Sequence, residues 1–277
     1  ERELLQSEEF RTLLQQGQYF PNEDSLNLSR EIRLLGLPGA VLSAEEFLQV
    51  RKLADNIRQI FHWFDRERRL AYPALTEVIR DIYYEKQIVA FIDEVLEENG
   101  QVRDQASPEL SQIRMSLFRK RNELRRLFDR ILSSLSKAGY VAETEEAFLN
   151  GRRVVALFAE NKRQVKGILH GESDCRRTAV GEPEETIGLN NEIFSLEHAE
   201  GREVNRILRE LTAKLSVHAE LLNKYSIITG EYDFICGKAR LALDINGIYP
   251  TLHDGSHVHL QQAFHPLQPI LPDVVGK

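Results

Sequence analysis

Seven basic residues, Arg152, Arg153, Lys162, Arg163, Lys166, Arg176 and Arg177, crowd into positions 151 to 181 against three acids, a local charge of +4 on a chain whose net charge is −7. Lysine and arginine act on phosphate locally and release its counterions, so an acidic protein with a concentrated basic segment can still hold a polyanion there. Contacts of this kind give affinity without a choice of base sequence. Charge on strand edges also serves to block edge-to-edge pairing, and that reading stands beside the first. A second basic stretch, residues 107 to 137, carries eight Lys/Arg against three acids. Within it Arg119, Lys120, Arg121, Arg125 and Arg126 form another candidate track, with solvation of a coiled-coil flank as the alternative.

Other chemistry is weakly signalled. His253, His257, His259 and His265 with Asp254 suggest a metal-dependent hydrolase, since His257 and His259 would share one face of a strand. No H-E-x-x-H motif accompanies them. No G-x-x-x-x-G-K-[ST] phosphate loop occurs: Gly237-Lys238 lacks the upstream glycine, and Gly276-Lys277 ends the chain. Cys175 and Cys236 are too few for a disulfide framework or a zinc motif and read as reduced thiols. At 29% charged residues, carboxylate pairs arise without catalysis. The expectation is therefore no catalytic residue, no metal and no cofactor in this chain.

The elements that would position the basic segment are mostly helices. Ser43 with Glu46 reads as a capping box, followed by Phe47, Val50, Leu53, Ile57, Ile60 and Phe64 at helical spacing. A short helix precedes it around Glu1 to Gln16, and two amphipathic segments follow Pro73, around Ala74 to Ile82 and Ile88 to Glu97. Ser107-Pro108-Glu109 is a helix start: a capping hydroxyl, a proline in the first turn and a carboxylate at the positive dipole end. Leu110, Leu117, Leu124 and Ile131 then fall seven apart, with Ile113 and Leu127 beside them, which is a coiled-coil seam. Its antiparallel partner is expected in Val204, Leu208, Leu211, Leu215, His218, Leu222 and Tyr225. A helix over 107–137 is roughly 46 Å long, so the pair should stand out as an arm. Between the two helices, RRVVALFA, QVKGILH and RRTAV predict strands, with Gly167 a bulge. Glu231 to Leu243 predicts a further core helix, Asn246-Gly247 a turn, and the last thirty residues short strand-like pieces.

The ordered motifs resemble the second bacterial branch of the MutS family, the endonuclease MutS-type (MutS-two) proteins. The resemblance runs over roughly residues 40 to 270. Asn99 to Leu110 (NGQVRDQASPEL) looks like the entry to that family's clamp; Lys162-Arg163, Lys166-Gly167-Ile168-Leu169-His170, Thr178, Glu182-Pro183 and Leu189-Asn190-Asn191-Glu192 look like the clamp itself. Asp233-Phe234-Ile235 with Lys238-Ala239-Arg240-Leu241-Ala242 resembles the return into the lever helices, and Phe264-His265-Pro266-Leu267 the lead-in to the ATPase domain. The chain departs from the family pattern at Gly171, Cys175-Arg176 and Val180, so its tip loop is altered, and near the first strand at Ala156, where the family often has proline.

The resemblance implies a homodimeric ATPase, using ATP and magnesium, that acts on branched, mismatched or double-stranded DNA or on collided ribosomes, with any nuclease activity in a separate module. This chain would be its lever and clamp without the ATPase domain. The expected fold is mainly α with a small β insert: a helical core over 1–106, a clamp arm over 107–228 made of a coiled coil (107–137 with 186–228) and a β-rich tip (151–183), and a return lever over 229–277. The seven basic residues of the tip are the candidate nucleic-acid contacts. A coiled-coil adaptor without phosphate affinity is the third reading, after binding module and hydrolase. No apolar run approaches the roughly 20 residues of a membrane span, and the start ERELLQSEEF is neither a signal nor a transit peptide, so a cytoplasmic location is expected.

Overall fold

A computed structural model describes residues 1–22, 27–142, 147–172, 177–252 and 255–260. The expected class is correct: nine α-helices and one four-stranded antiparallel sheet are found among these residues. They divide into two compact units, one of residues 1–101 with 208–277 and one of residues 102–207.

The first unit contains α1 (Arg2–Gln15), α2 (Ser29–Leu35), α3 (Ala44–Trp63), α4 (Arg66–Ala71), α5 (Pro73–Thr76) and α6 (Lys86–Val95). The expected capping box is present, with the Ser43 hydroxyl accepting from the Glu46 amide and the Glu46 carboxylate accepting from the Ser43 amide. The short helices α2 and α4 were not expected. Arg66–Ala71 buries no residue, so no apolar period marks it; Asp65, accepting from the Arg68 amide, starts it instead. The core is aromatic at one end, where Phe20 meets Phe10, Trp63, Phe64 and Tyr232 at ring separations of 4.8 to 6.0 Å. Tyr232 belongs to α9 (Ala219–Asp244), and its buried phenol donates to the Leu75 carbonyl at 2.8 Å. That helix includes the expected Glu231–Leu243 segment and ends before Asn246, whose φ of 51° makes the expected turn. No strand follows among the described residues up to 260, contrary to expectation; Ile248, Val258 and Leu260 are exposed and have no sheet to join.

The second unit opens on α7 (Pro108–Lys137) and leaves on the first part of α8 (Glu184–Ser216). The Ser107 hydroxyl accepts from the Leu110 amide at 3.0 Å, as the Ser-Pro-Glu start requires. The seam is tighter than expected in one place. Leu110, Leu117, Leu124 and then Phe128 are buried, while Ile131 is half-buried. A straight helix drifts about 20° per heptad, so after two strict steps of seven the next core position falls four residues on. The antiparallel partner also differs. Leu189, Ile193 and Leu196 pack on Ile113, Leu117 and Leu124, whereas Leu208, Leu211, Leu215, Leu222 and Tyr225 are buried in the first unit. Both stretches show the same apolar spacing, so spacing alone could not choose between them.

Four strands lie between these helices: β1 (Ala147–Leu149), β2 (Arg152–Phe158), β3 (Gly167–Glu172) and β4 (Thr178–Pro183), in the order β1-β2-β4-β3. Three were expected. β1 pairs with β2 across Asn150-Gly151, both at positive φ (50° and 78°), the two-residue turn that suits a twisted hairpin. β3 starts at Gly167 and not at Gln164, and the ladder irregularity falls between Leu169 and Gly171. Val155 and Leu157 of β2 bury with Phe128 of α7, and Val165 packs against them.

Candidate nucleic-acid interface

Since β2 and β3 both run antiparallel to β4, residues 159–166 must cross β4 to join them. Val165 is the inward residue of this crossover, and Arg163 and Lys166 are exposed on it; Lys162 is half-buried. Its two ends are pinned by backbone. The Ala159 amide donates to the Arg177 carbonyl at 3.0 Å, and the Glu184 amide donates to the Lys166 carbonyl at 2.9 Å. The first contact brings Arg177, also exposed, beside the root of the crossover. Lys162, Arg163, Lys166 and Arg177 are thus gathered on one connection and its anchor; Lys166 and Arg177, expected on strands, lie just outside β3 and β4. Arg176 lies outside the described residues, as do Cys175, His253, Asp254 and residues 264–267.

Arg152 and Arg153 have different surroundings. The Arg152 guanidinium forms a bidentate pair with Glu182, Nη2 to Oε1 at 2.9 Å and Nε to Oε2 at 3.0 Å, and donates from Nη2 to Oδ1 of Asn191 at 2.7 Å. Glu182 is completely buried. It also accepts from Nδ2 of Asn190 at 2.7 Å and lies 3.0 Å from Nε2 of His170. Burial pushes the Glu182 carboxyl up, but the hydrogen bonds from Arg152, Asn190 and His170 outweigh it and hold the group below its usual range. Arg153 is half-buried, its guanidinium 5.2 Å from the Phe148 ring on the neighbouring strand. Asn190 brackets the Arg153 backbone, accepting from its amide and donating to its carbonyl at 3.4 Å each.

Glu182 and Asn190 form a working pair that residue type and spacing do not reveal. They stand eight apart, one near the end of β4 and one on α8, and only strand register shows that they meet Arg152. The polar hub ties the sheet to the helix that follows it. The exposed bases of the crossover are held on a frame whose internal charge is already neutralised.

The seam between α7 and α8 has a second set of pairs. Ser107 donates to Glu203 at 2.6 Å, Arg114 to Glu200 at 2.7 Å, and Arg121 to Glu197 at 2.7 Å, while Lys120 lies 2.7 Å from Glu192. From Ser107 to Arg114 to Arg121 the partners fall from Glu203 to Glu200 to Glu197, as two antiparallel helices require. Arg206 and Ser107 hold the Glu203 carboxyl down at about 2, against the opposing effect of burial. Two of the five bases in the candidate track on α7, Lys120 and Arg121, are therefore engaged with α8. His257 and His259 are exposed, and no three His, Cys, Asp or Glu side chains come together among the described residues. Burial raises the half-buried Cys236 thiol above its usual value. No helix among the described residues is long and apolar enough to cross a membrane.

No protein-family model matches the chain. Curated proteins do. It is 29% identical over 246 residues to Endonuclease MutS2 of Carboxydothermus hydrogenoformans, covering 89% of this chain and 30% of that protein. The Pelotomaculum thermopropionicum Endonuclease MutS2 is 33% identical over 229 residues, 83% of this chain and 29% of its own length. The protein of the same name from Levilactobacillus brevis is 30% identical over 230 residues, with 82% and 29% covered. The chain therefore spans under a third of the length of the curated relatives it matches.

Proposed function

We propose that this chain, which is of the endonuclease MutS2 type, is a nucleic-acid-binding lever and clamp whose sheet insert grips a phosphate backbone without reading its sequence. The observation that carries this reading is the division of labour among the basic residues. Arg152 neutralises a buried carboxylate, while Arg163, Lys166 and Arg177 are exposed on the crossover and its anchor, with the half-buried Lys162 next to Arg163 in the chain. Flexible cations on one short connection suit a phosphate track, where each contact contributes affinity and salt sensitivity and none selects a base.

On this reading the clamp performs no chemistry. Within a whole protein of the type, an ATPase with its ATP and magnesium would drive the levers, two copies would supply two clamps, and the object held would be branched or double-stranded DNA or a collided ribosome. Two linked clamps gain from effective concentration, so a single chain binds more weakly than the dimer.

Fluorescence anisotropy with labelled duplex and four-way-junction DNA, alongside co-sedimentation with ribosomes, tests the proposal. Binding to at least one of these that weakens steeply with salt is the expected result. A chain that binds none of them at low salt, alone or in the full-length dimer, is not a nucleic-acid clamp.

A further inference from the structure

We propose that the face of α7 opposite its seam, formed by Arg119, Arg126, Arg130 and Lys137, is a second phosphate-binding track that takes the backbone of double-helical DNA. The inference rests on the reading that this chain binds nucleic acid, and extends the contact from the sheet insert along the helix.

The four residues are spaced seven, four and seven apart. At about 100° per residue they fall within roughly 40° of one another, and the stripe runs roughly 27 Å at about 1.5 Å per residue. By the same count the buried residues Leu117, Leu124 and Phe128 lie about 140° to 180° away, so the stripe runs along the side of α7 away from the seam, with Arg119 also lining the edge of the α7–α8 groove beside Glu123 and Glu192. Ion pairing divides the helix in the same way. Arg114, Lys120 and Arg121, which flank the seam, pair with Glu200, Glu192 and Glu197 of α8. All four stripe residues are exposed, and among the described residues none is in a salt bridge. Arg119 donates to the Ser116 hydroxyl at 3.5 Å and Arg130 to the Arg126 carbonyl at 3.3 Å, neither of which is a counter-ion.

A face kept only for solubility alternates signs, with an acid one turn from each base. Here Arg126 and Arg130 are themselves one turn apart, Lys137 has Ser133 in the corresponding place, and Glu123 and Asp129, three residues to either side of Arg126, form no salt bridge with it among the described residues. Glu123, one turn from Arg119, is turned to Lys120 at 3.4 Å. Like charges at that spacing cost helix stability, and a polyanion laid along the stripe removes the cost. Three of the four are arginines, whose planar fork suits phosphate oxygens. A stripe straight over roughly 27 Å fits the regularly spaced phosphates of a double helix and not a flexible single strand, and the DNA duplex is the double-helical partner of the reading on which this inference rests. The occupant is therefore duplex DNA.

The test compares the full chain with three variants by anisotropy on a labelled blunt DNA duplex and its RNA counterpart across a salt series. One variant carries Arg119→Gln, Arg126→Gln, Arg130→Gln and Lys137→Gln. The second removes the insert charges with Lys162→Gln, Arg163→Gln, Lys166→Gln and Arg177→Gln. The third, Arg66→Gln with Arg202→Gln, removes exposed charge from positions outside both candidate tracks. The stripe variant should bind DNA at least about tenfold more weakly, with a log–log salt slope shallower by about 0.9 for each phosphate that is no longer neutralised, and the off-stripe variant should keep the slope of the parent. A stripe variant that binds like the parent overturns this inference while leaving the insert reading intact. Weakened binding by the stripe variant, with none by the insert variant, supports the stripe and overturns the insert reading. Equal weakening in the off-stripe variant, or tighter binding of RNA than of DNA by the parent, also overturns the stripe. Failure of the parent to bind any duplex at low salt overturns the stripe, while co-sedimentation with ribosomes continues to test the insert reading. Circular dichroism establishes that helix content is retained; if the fourfold variant loses it, Arg119→Gln with Lys137→Gln is used, with about half the change in slope expected.

Discussion

Arg152 and Glu182, thirty residues apart, form a bidentate ion pair at 2.9 and 3.0 Å on one face of the insert, with the carboxylate wholly buried. The pair converts one of the most conspicuous bases in the sequence from a surface charge into a structural one. It also makes Glu182 the point where β2, β3, β4 and α8 meet, through Arg152, His170 and Asn190.

Removing one partner of such a pair leaves the other charge desolvated and alone. Glu182→Gln should therefore destabilise the insert by about 3 kcal/mol or more. His170→Ala should cost less, because Arg152 and Asn190 continue to satisfy the carboxylate. Chemical unfolding followed by a tryptophan introduced at Phe148 would measure both, and a Glu182→Gln variant as stable as the parent would show that the pair contributes nothing.

Acid should loosen the same unit. Glu182 and Glu203 both titrate below the ordinary carboxylate value when folded, Glu203 at about 2. A depressed folded pKa gives stability that is fully present above the unfolded value, about 4.3, and is lost as pH falls through the folded one. Melting temperature should thus hold above about pH 5 and fall steadily toward pH 2. In Glu203→Gln the fall should be smaller. Ser107→Ala removes both the α7 cap and a donor to Glu203, at a cost of about 1 kcal/mol at neutral pH.

Gly167 sits at φ +148°, where a Cβ would lie 1.9 Å from the Glu182 carbonyl oxygen. No rotamer relieves a clash with backbone. Gly167→Ala should cost more than about 2 kcal/mol and expose the crossover to trypsin at Arg163 and Lys166, with the helices retained. Unchanged cleavage would mean that β3 and β4 do not approach this closely.

Much of the frame could be read without the structure, and the reasons are local. Ser107-Pro108-Glu109 and the Ser43/Glu46 box name their helices because a cap needs only residues within one turn. Asn150-Gly151 is equally local, and it signals the β1–β2 hairpin that a reading from Gly151 onward misses. The fate of the seven bases was not local. Whether Arg152 meets solvent or Glu182 depends on a register set by strands on both sides of a crossover, and nothing about an arginine announces its counter-ion. The choice between two apolar repeats as the partner of α7 was undetermined for the same reason.

If the clamp works as proposed, the crossover bases carry the phosphate contacts, while Arg152 and Arg153, held within the frame, do not. The salt dependence of binding to a four-way DNA junction decides this, measured on the parent and two charge-reversed chains, Lys162→Glu/Arg163→Glu/Lys166→Glu/Arg177→Glu and Arg153→Glu. Arg153 stands for the pair because changing Arg152 would strand the buried Glu182 charge. The fourfold variant should cease to bind, or flatten the slope of log K against log salt by about 0.9 for each phosphate it no longer neutralises, whereas Arg153→Glu should keep the parent's slope. Unchanged binding by a folded fourfold variant would contradict the proposal.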